Sequence, residues 1–168
     1  MYQTLLLVDD EEPVLHALAR LLRRDDYHIL TATNVEQALA LLDNQAVGVI
    51  VSDYCMPGMN GAEFLARARV LAPDAVRLVL SATSDLAEGR AVINDGAAHK
   101  FFSKPWDDEL LRAGVREAFE RHAQARQDRL TGLLNREALC ASLDEALAAG
   151  TLALLYLGLD RFKTINSS

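Results

Sequence analysis

The chain has 168 residues, 51% of them hydrophobic, with a net charge of -7 and a pI near 5.0. That acidic balance argues against nucleic-acid binding by the chain as a whole, because the phosphate backbone attracts basic surfaces. Cys55 and Cys140 lie far apart and His16, His28, His99 and His122 are scattered, so neither a disulfide framework nor a zinc site is indicated, as suits a reducing cytoplasm. No apolar run approaches the ~20 residues that a membrane helix needs, and the N-terminus runs straight into an apolar strand with no signal-peptide pattern.

Short apolar runs alternate with amphipathic stretches. Residues 5–8 are apolar throughout, as in a strand buried on both faces. A helix pattern follows, with Pro13 in its first turn and Val14, Leu15, Leu18, Leu21 and Leu22 on one face. Residues 28–32 read as a second strand. Thr33 and Glu36 resemble a capping box ahead of Val35, Ala38, Leu39 and Leu42. Residues 47–51 form the third and most apolar strand. Met56, Pro57 and Gly58, then Asn60 and Gly61, mark a loop. Phe64, Leu65, Ala68 and Leu71 give a third helix, closed by Pro73. Residues 76–80 are a fourth strand. Leu86, Val92 and Ile93 give a weaker fourth helix, interrupted by Gly89 and ended by Asn94, Asp95 and Gly96. Residues 97–102 are a fifth strand, and a long helix starts after Pro105.

Five βα units in succession predict an α/β fold, a doubly wound parallel sheet with helices on both faces. The common five-stranded arrangement is flavodoxin-like, with strand order 2-1-3-4-5 and a switch point between strands 1 and 3. Ligands of such folds sit at the carboxyl ends of those strands.

The strand ends carry the chemistry. Strand 1 ends in Asp9, Asp10 and Glu11; strand 3 in Ser52 and Asp53; strand 4 in Ser81, Ala82 and Thr83; strand 5 in Ser103, Lys104 and Pro105. Three carboxylates around one point raise each other's pKa values. A hard divalent cation removes that conflict, and oxygen ligands suit Mg²⁺. Asp53 can then stay ionised and act as a nucleophile toward phosphorus. Mg²⁺ and Lys104 offset charge on the transferring group, and Ser81 can donate to a phosphoryl oxygen.

Val8, Asp9, Asp10 and Glu11, Asp53 with Met56, Pro57 and Gly61, Ser81 with Ala82, and Lys104 with Pro105 together resemble the response-regulator receiver family of two-component signalling. The resemblance covers residues 1–125. It implies that Asp9, Asp10, Asp53 and the backbone carbonyl of Cys55 hold Mg²⁺. It makes Asp53 the phospho-acceptor, Ser81 the switch hydroxyl and Phe101 the switch aromatic, and it implies a cis bond between Lys104 and Pro105. The implied donor is a sensor histidine kinase. The implied readout is the face built by the fourth helix, the fifth strand and the long fifth helix, passed on to an output domain, with that face or the linker helix as a homodimer interface. A cytoplasmic signalling module follows, not an enzyme beyond its own phosphorylation and dephosphorylation.

The long helix spans residues 107–128 in this reading, about 33 Å at ~1.5 Å per residue. Acidic residues open it and arginines close it, as the helix dipole prefers. Asp108 with Arg112 and Glu117 with Arg121 are spaced i,i+4. Leu111, Ala118 and Ala125, and Val115 with His122, make a thin seven-residue seam. Next come Asp128, Leu130, Thr131, Gly132, Leu133, Asn135 and Arg136, then a helix pattern (137–149) and an apolar strand (152–157). Residues 129–168 resemble the opening of a GGDEF domain, the family that makes cyclic dimeric GMP. Asn166 matches that family's guanine-contacting asparagine. Gly158 stands where the family usually has an acidic metal ligand, with Asp160 two residues on, and the signature for which the family is named is absent. The implied parent carries a degenerate GGDEF domain, with a cyclic-di-GMP output of cyclase or phosphodiesterase type.

Each residue also has a plain structural reading. Acidic pairs after a strand commonly just start a helix, a lone Asp53 would be a loop aspartate, and a lone Lys104 a solvated charge. Phe101 and Trp106 would be core packing, and Cys55 a bystander. The joint occurrence at four successive strand ends favours function. A phosphorylation-independent interaction module on the same fold is the main rival. An aspartate-nucleophile phosphatase is another, but it needs a general acid-base carboxylate where Cys55 stands.

Overall fold

The computed structural model describes residues 3–56, 61–82, 97–128, 130–148 and 150. They fall into two units, 1–126 and 127–168. Within the first, strands β1 (Thr4–Val8), β2 (His28–Ala32), β3 (Val49–Asp53), β4 (Val76–Ala82) and β5 (Lys100–Lys104) form one parallel sheet in the order β2-β1-β3-β4-β5. This is the flavodoxin-like arrangement expected from the sequence.

Alternation along the strands divides the core into two layers. Leu6, Val8, Ile50 and Val79 face one side, where they meet Ala38 and Leu42 of helix α2 (Val35–Asn44) and Phe64, Leu65 and Ala68 of α3 (Gly61–Leu71). Leu5, Leu7, Val49, Val51, Leu78 and Leu80 face the other. There they meet Leu15, Leu18 and Leu22 of α1 (Glu12–Leu22) and Leu111, Val115 and Phe119 of α4 (Asp108–Ala125).

Several local expectations shift. The capping box lies one residue further on. Asn34 is the N-cap, its side chain accepting from the Gln37 amide at 2.8 Å, while Gln37 Oε1 accepts from the Thr33 amide at 3.0 Å. Strand β3 runs two residues beyond its apolar run, because its ladder continues until Asp53 pairs with Leu80. Helix α4 ends at Ala125, short of Asp128. Its Arg112 forms a bidentate pair with Asp25, at 3.0 and 3.1 Å, in the 3-10 turn Arg23–Asp25. Its Glu117 pairs with Lys100 of β5 at 2.7 Å. The seven-residue seam is largely the helix's inner face, since Leu111, Val115 and Ala118 are buried against the sheet. The weak helix expected around 86–93, the 94–96 stop, Thr83, Pro57, Gly58, Asn60 and the 152–157 strand lie outside the described residues.

The second unit opens on a locally closed turn. Asp128 Oδ1 accepts from the amides of Leu130 and Thr131 and from Thr131 Oγ1, at 3.2, 2.9 and 2.8 Å. Gly132 has φ +69, the left-handed conformation that glycine adopts without cost. Gln127 and Leu134 form an antiparallel bridge. Asn135 caps helix α5 (Arg136–Ala148) by accepting from the Ala138 amide at 2.8 Å.

Gly61 starts α3 because nothing larger fits. Its amide donates to Tyr54 O at 2.7 Å, and an added Cβ would lie 2.7–2.8 Å from Tyr54 Cα, Asp53 O and Tyr54 O. These are backbone atoms and cannot swing aside. Gly61→Ala is expected to lower stability by about 1–3 kcal/mol, read as a lower urea midpoint at unchanged m-value.

At the opposite ends of β4 and β5, His99 stands in for a strand neighbour. Its Nδ1 accepts from the Arg77 amide at 3.0 Å, and its own amide donates to Arg77 O at 2.7 Å. Burial, then the charges of Arg77 and Arg121, pushes the imidazole down to about 4. A histidine held neutral in the fold contributes stability above its unfolded pKa near 6.5, and that contribution is lost as pH falls toward 4. Burial also pushes His122 down, in the same direction. The urea midpoint is therefore expected to fall between pH 6.5 and 4. His99→Asn, whose Oδ1 can keep the bond to Arg77, should make that fall shallower.

Candidate functional site

The site forms where β1 and β3 end side by side, because apolar strands deliver polar residues to one edge of the sheet. Asp9 follows β1 directly and is fully buried; Asp53 closes β3 and is 6% exposed. Asp10 lies beside them at the surface. One carboxylate oxygen from each of Asp9, Asp10 and Asp53 lies within 4.8 Å of the other two.

Two main-chain amides orient the buried carboxylates. Asp9 Oδ1 accepts from Glu11 N at 3.0 Å, at the N-cap of α1. Asp53 Oδ1 accepts from Tyr54 N at 2.8 Å. Lys104 arrives from the end of β5 and joins both, with Nζ 2.7 Å from Asp9 Oδ2 and 3.2 Å from Asp53 Oδ2. The Lys104-Pro105 peptide is cis.

Burial raises the Asp53 carboxyl above its ordinary range, and the negative charge of Asp9 adds to that; Lys104 and the Tyr54 amide act against it. Burial opposes the charge on Lys104, but its bonds to Asp9 and Asp53 outweigh this and raise its pKa. Among the described residues the arrangement thus concentrates more negative charge than the Lys104 ammonium offsets. Hard oxygen donors, close together and short of positive charge, fit a small divalent cation such as Mg²⁺.

The other expected residues take separate places. Ser81 is fully buried in β4, next to Leu80, which pairs with Asp53; its Oγ lies 3.5 Å from Ala82 O. Phe101 is half-buried in β5, three residues before Lys104, and packs on the layer formed with α2 and α3. The Cys55 side chain is exposed. Trp106 Nε1 donates to Asp108 Oδ1 at 3.2 Å, while its ring packs on the layer formed with α1 and α4. Sequence reasoning passed over the Glu11 and Tyr54 amides, which no side-chain motif reveals. Ser52 stands in the sequence at the end of the third strand, but its residue type alone assigns it no role.

The description "Response regulator receiver domain" matches residues 5–116. The chain belongs to the response regulator receiver family. Its receiver domain is 38% identical over 117 residues to the hydrogenase transcriptional regulatory protein HoxA of Cupriavidus necator, covering 70% of this chain and 24% of that protein. It is 30% identical over 115 residues to a cyclic di-GMP phosphodiesterase of Thermotoga maritima, covering 68% of this chain and 30% of that one. A solved structure described as an adenylate cyclase from Rhodopirellula baltica superposes with a TM-score of 0.70 at 26% identity, over 90% of this chain and all of the other. The chain thus spans about a quarter of the length of the first curated relatives. Receiver domains generally bind Mg²⁺ through acidic residues and interact with histidine kinases. No helix among the described residues is long and apolar enough to cross a membrane.

Because the folded Asp53 pKa is raised, its ionisation weakens the fold as pH rises through that value. At neutral pH in chelator, Asp53→Asn is therefore expected to unfold at a higher temperature than the wild type. Added Mg²⁺ should raise the wild-type midpoint and have a much smaller effect on Asp9→Asn. Thermal scans with and without Mg²⁺ check both.

Proposed function

We propose that Asp53 accepts a phosphoryl group from the phosphohistidine of a sensor histidine kinase. The observation that carries this is a buried pair of carboxylates, Asp9 and Asp53, joined to one lysine at the switch point of the sheet. An Asp53 carboxylate oxygen attacks phosphorus. The new oxygen–phosphorus bond forms as the phosphorus–nitrogen bond of phosphohistidine breaks, and its electron pair leaves with the imidazole. Lys104 holds Asp53 in place and offsets charge on the phosphoryl oxygens. Asp9, Asp10, Asp53 and the backbone carbonyl of Cys55 would hold Mg²⁺, which when bound supplies positive charge against the transferring group. Ser81 then donates to a phosphoryl oxygen, and Phe101 follows it as the switch aromatic. The change passes through the face around β5 and α4, with α4 forming most of a linker over residues 107–128, to an output domain in the same parent chain. A homodimer through that face or the linker would transmit it.

In this proposal residues 1–125 are the receiver and residues 129–168 the opening of a GGDEF-like domain in a cytoplasmic parent protein. The Asp128 turn and the Asn135 cap support that boundary, because they begin a separately folded segment. The named relatives differ in output: a transcriptional regulator, a cyclic di-GMP phosphodiesterase and a protein described as an adenylate cyclase. The cyclic-di-GMP output therefore rests on residues 128–136 and not on the receiver. The chain itself is a signalling module and not a turnover enzyme.

The test is intact mass after incubation with acetyl phosphate and Mg²⁺. The wild type should gain one phosphoryl group and Asp53→Asn none, while Lys104→Ala should slow the gain on the order of 10²-fold. No gain from either acetyl phosphate or a histidine kinase would overturn the proposal in favour of a phosphorylation-independent interaction module.

A further inference from the structure

The pairing of β1 with β3 ends at Val8 and Ser52. Beyond that register β1 turns away, and the Asp9 amide bonds to Ala32 O of β2 instead. The carbonyl of Asp53 therefore emerges at the point where the two strands part and has no place in that ladder. It accepts from Ser52 Oγ at 2.8 Å, between two buried residues. Ser52 is the one hydroxyl in a strand otherwise made of valine, isoleucine and the acceptor itself.

The peptide joining Asp53 to Tyr54 is one rigid plane. Its carbonyl is held by Ser52 Oγ. Its amide donates to Asp53 Oδ1 at 2.8 Å and to Leu80 O at 2.8 Å. A tilt of the plane about the chain would move both ends together, so losing the hold on the carbonyl would also loosen the amide that orients the carboxylate. The next peptide carries the Tyr54 carbonyl, which accepts from the Gly61 amide at 2.7 Å, and the Cys55 carbonyl belongs to the peptide after that.

We infer that Ser52 is a positioning residue for phosphoryl transfer: its hydroxyl holds the Asp53 carbonyl, and through that peptide plane sets the direction of the Asp53 carboxylate. This rests on the proposed role of Asp53 as acceptor. Ser52 touches neither the donor nor the metal donors' oxygens in this role; it acts through the backbone.

The test follows phosphorylation of the whole chain by acetyl phosphate at saturating Mg²⁺, varying the donor concentration. Ser52→Ala should lower the rate at saturating donor about tenfold, the size of effect expected of a misdirected nucleophile, and leave the half-saturating donor concentration unchanged. Ser52→Thr keeps the hydroxyl and should restore the rate. Ser52→Cys keeps the volume with a weak donor and should slow the reaction in the same direction, which preserves the test if the alanine variant folds poorly. Val49→Ala, at the far end of the same strand, should lower the melting temperature without lowering the rate below that temperature. A wild-type rate in both Ser52→Ala and Ser52→Cys would overturn the inference, as would an equal slowing in Val49→Ala. A wild type that gains no phosphoryl group would overturn the reading of Asp53 as acceptor, and this inference with it.

Discussion

Two carboxylates buried at the edge of an apolar sheet are the constraint around which the first unit is arranged. An ionised carboxylate taken out of water is costly unless it is paired and hydrogen-bonded. Asp9 and Asp53 meet that requirement with one local contact each and one brought from a distant strand. Each receives one main-chain amide from its own strand end. Both share the ammonium of Lys104, which stands 95 residues from Asp9 in sequence. The sheet order makes this contact available, because β3 and β4 place the end of β5 on the same edge as β1. Even so, burial and mutual repulsion prevail at Asp53, whose carboxyl is raised.

The same constraint explains what was legible in the residues. Runs such as 5–8 and 49–51 are apolar on both faces, so strands, order and layers could be read from them. The strand ends could not be read as sharply. Apolar character stops at Val51, yet pairing continues through Asp53, because ladder bonds depend on neighbouring backbone and not on side chains. The converging acids and the lysine were visible because they stand directly after such runs. What holds them was not, since the Glu11 and Tyr54 amides belong to the main chain and carry no residue signature.

Helix α4 shows the opposite failure. Its i,i+4 charge pairs follow helix spacing, but tertiary neighbours take the charges instead. Arg112 turns to Asp25, where two bonds form in a half-buried place, and a bidentate pair of that kind outweighs an exposed helix pair worth a few tenths of a kcal/mol. Its seven-residue seam coincides with the stripe buried against β3 and β4, because a face repeating every seven residues is nearly the face repeating every 3.6. Periodicity identified the inner face correctly and could not name what it packs against. The turn at Asp128 is not marked by periodicity, which carries the helix to that residue, although its bonds reach only two or three residues along the chain.

The residues nearest the acceptor act mainly through backbone. Gly61 is small so that α3 can begin against the Asp53 and Tyr54 carbonyls. The Tyr54 amide serves the sheet through Leu80 and the acceptor through Asp53 Oδ1. Ser52 serves the carbonyl that the departing strand leaves behind. These contacts converge on one peptide plane, so the direction of the carboxylate and the start of the loop carrying Cys55 are set together. A parallel sheet opens a crevice where its strand order reverses, and here the β1–β3 ladder ends at Ser52, one residue before the Asp53 carbonyl. The Ser52 hydroxyl, one residue earlier, donates to that carbonyl at 2.8 Å. The local rule that buried polar groups find partners and the requirement that a nucleophile hold its direction are therefore met here by the same side chain.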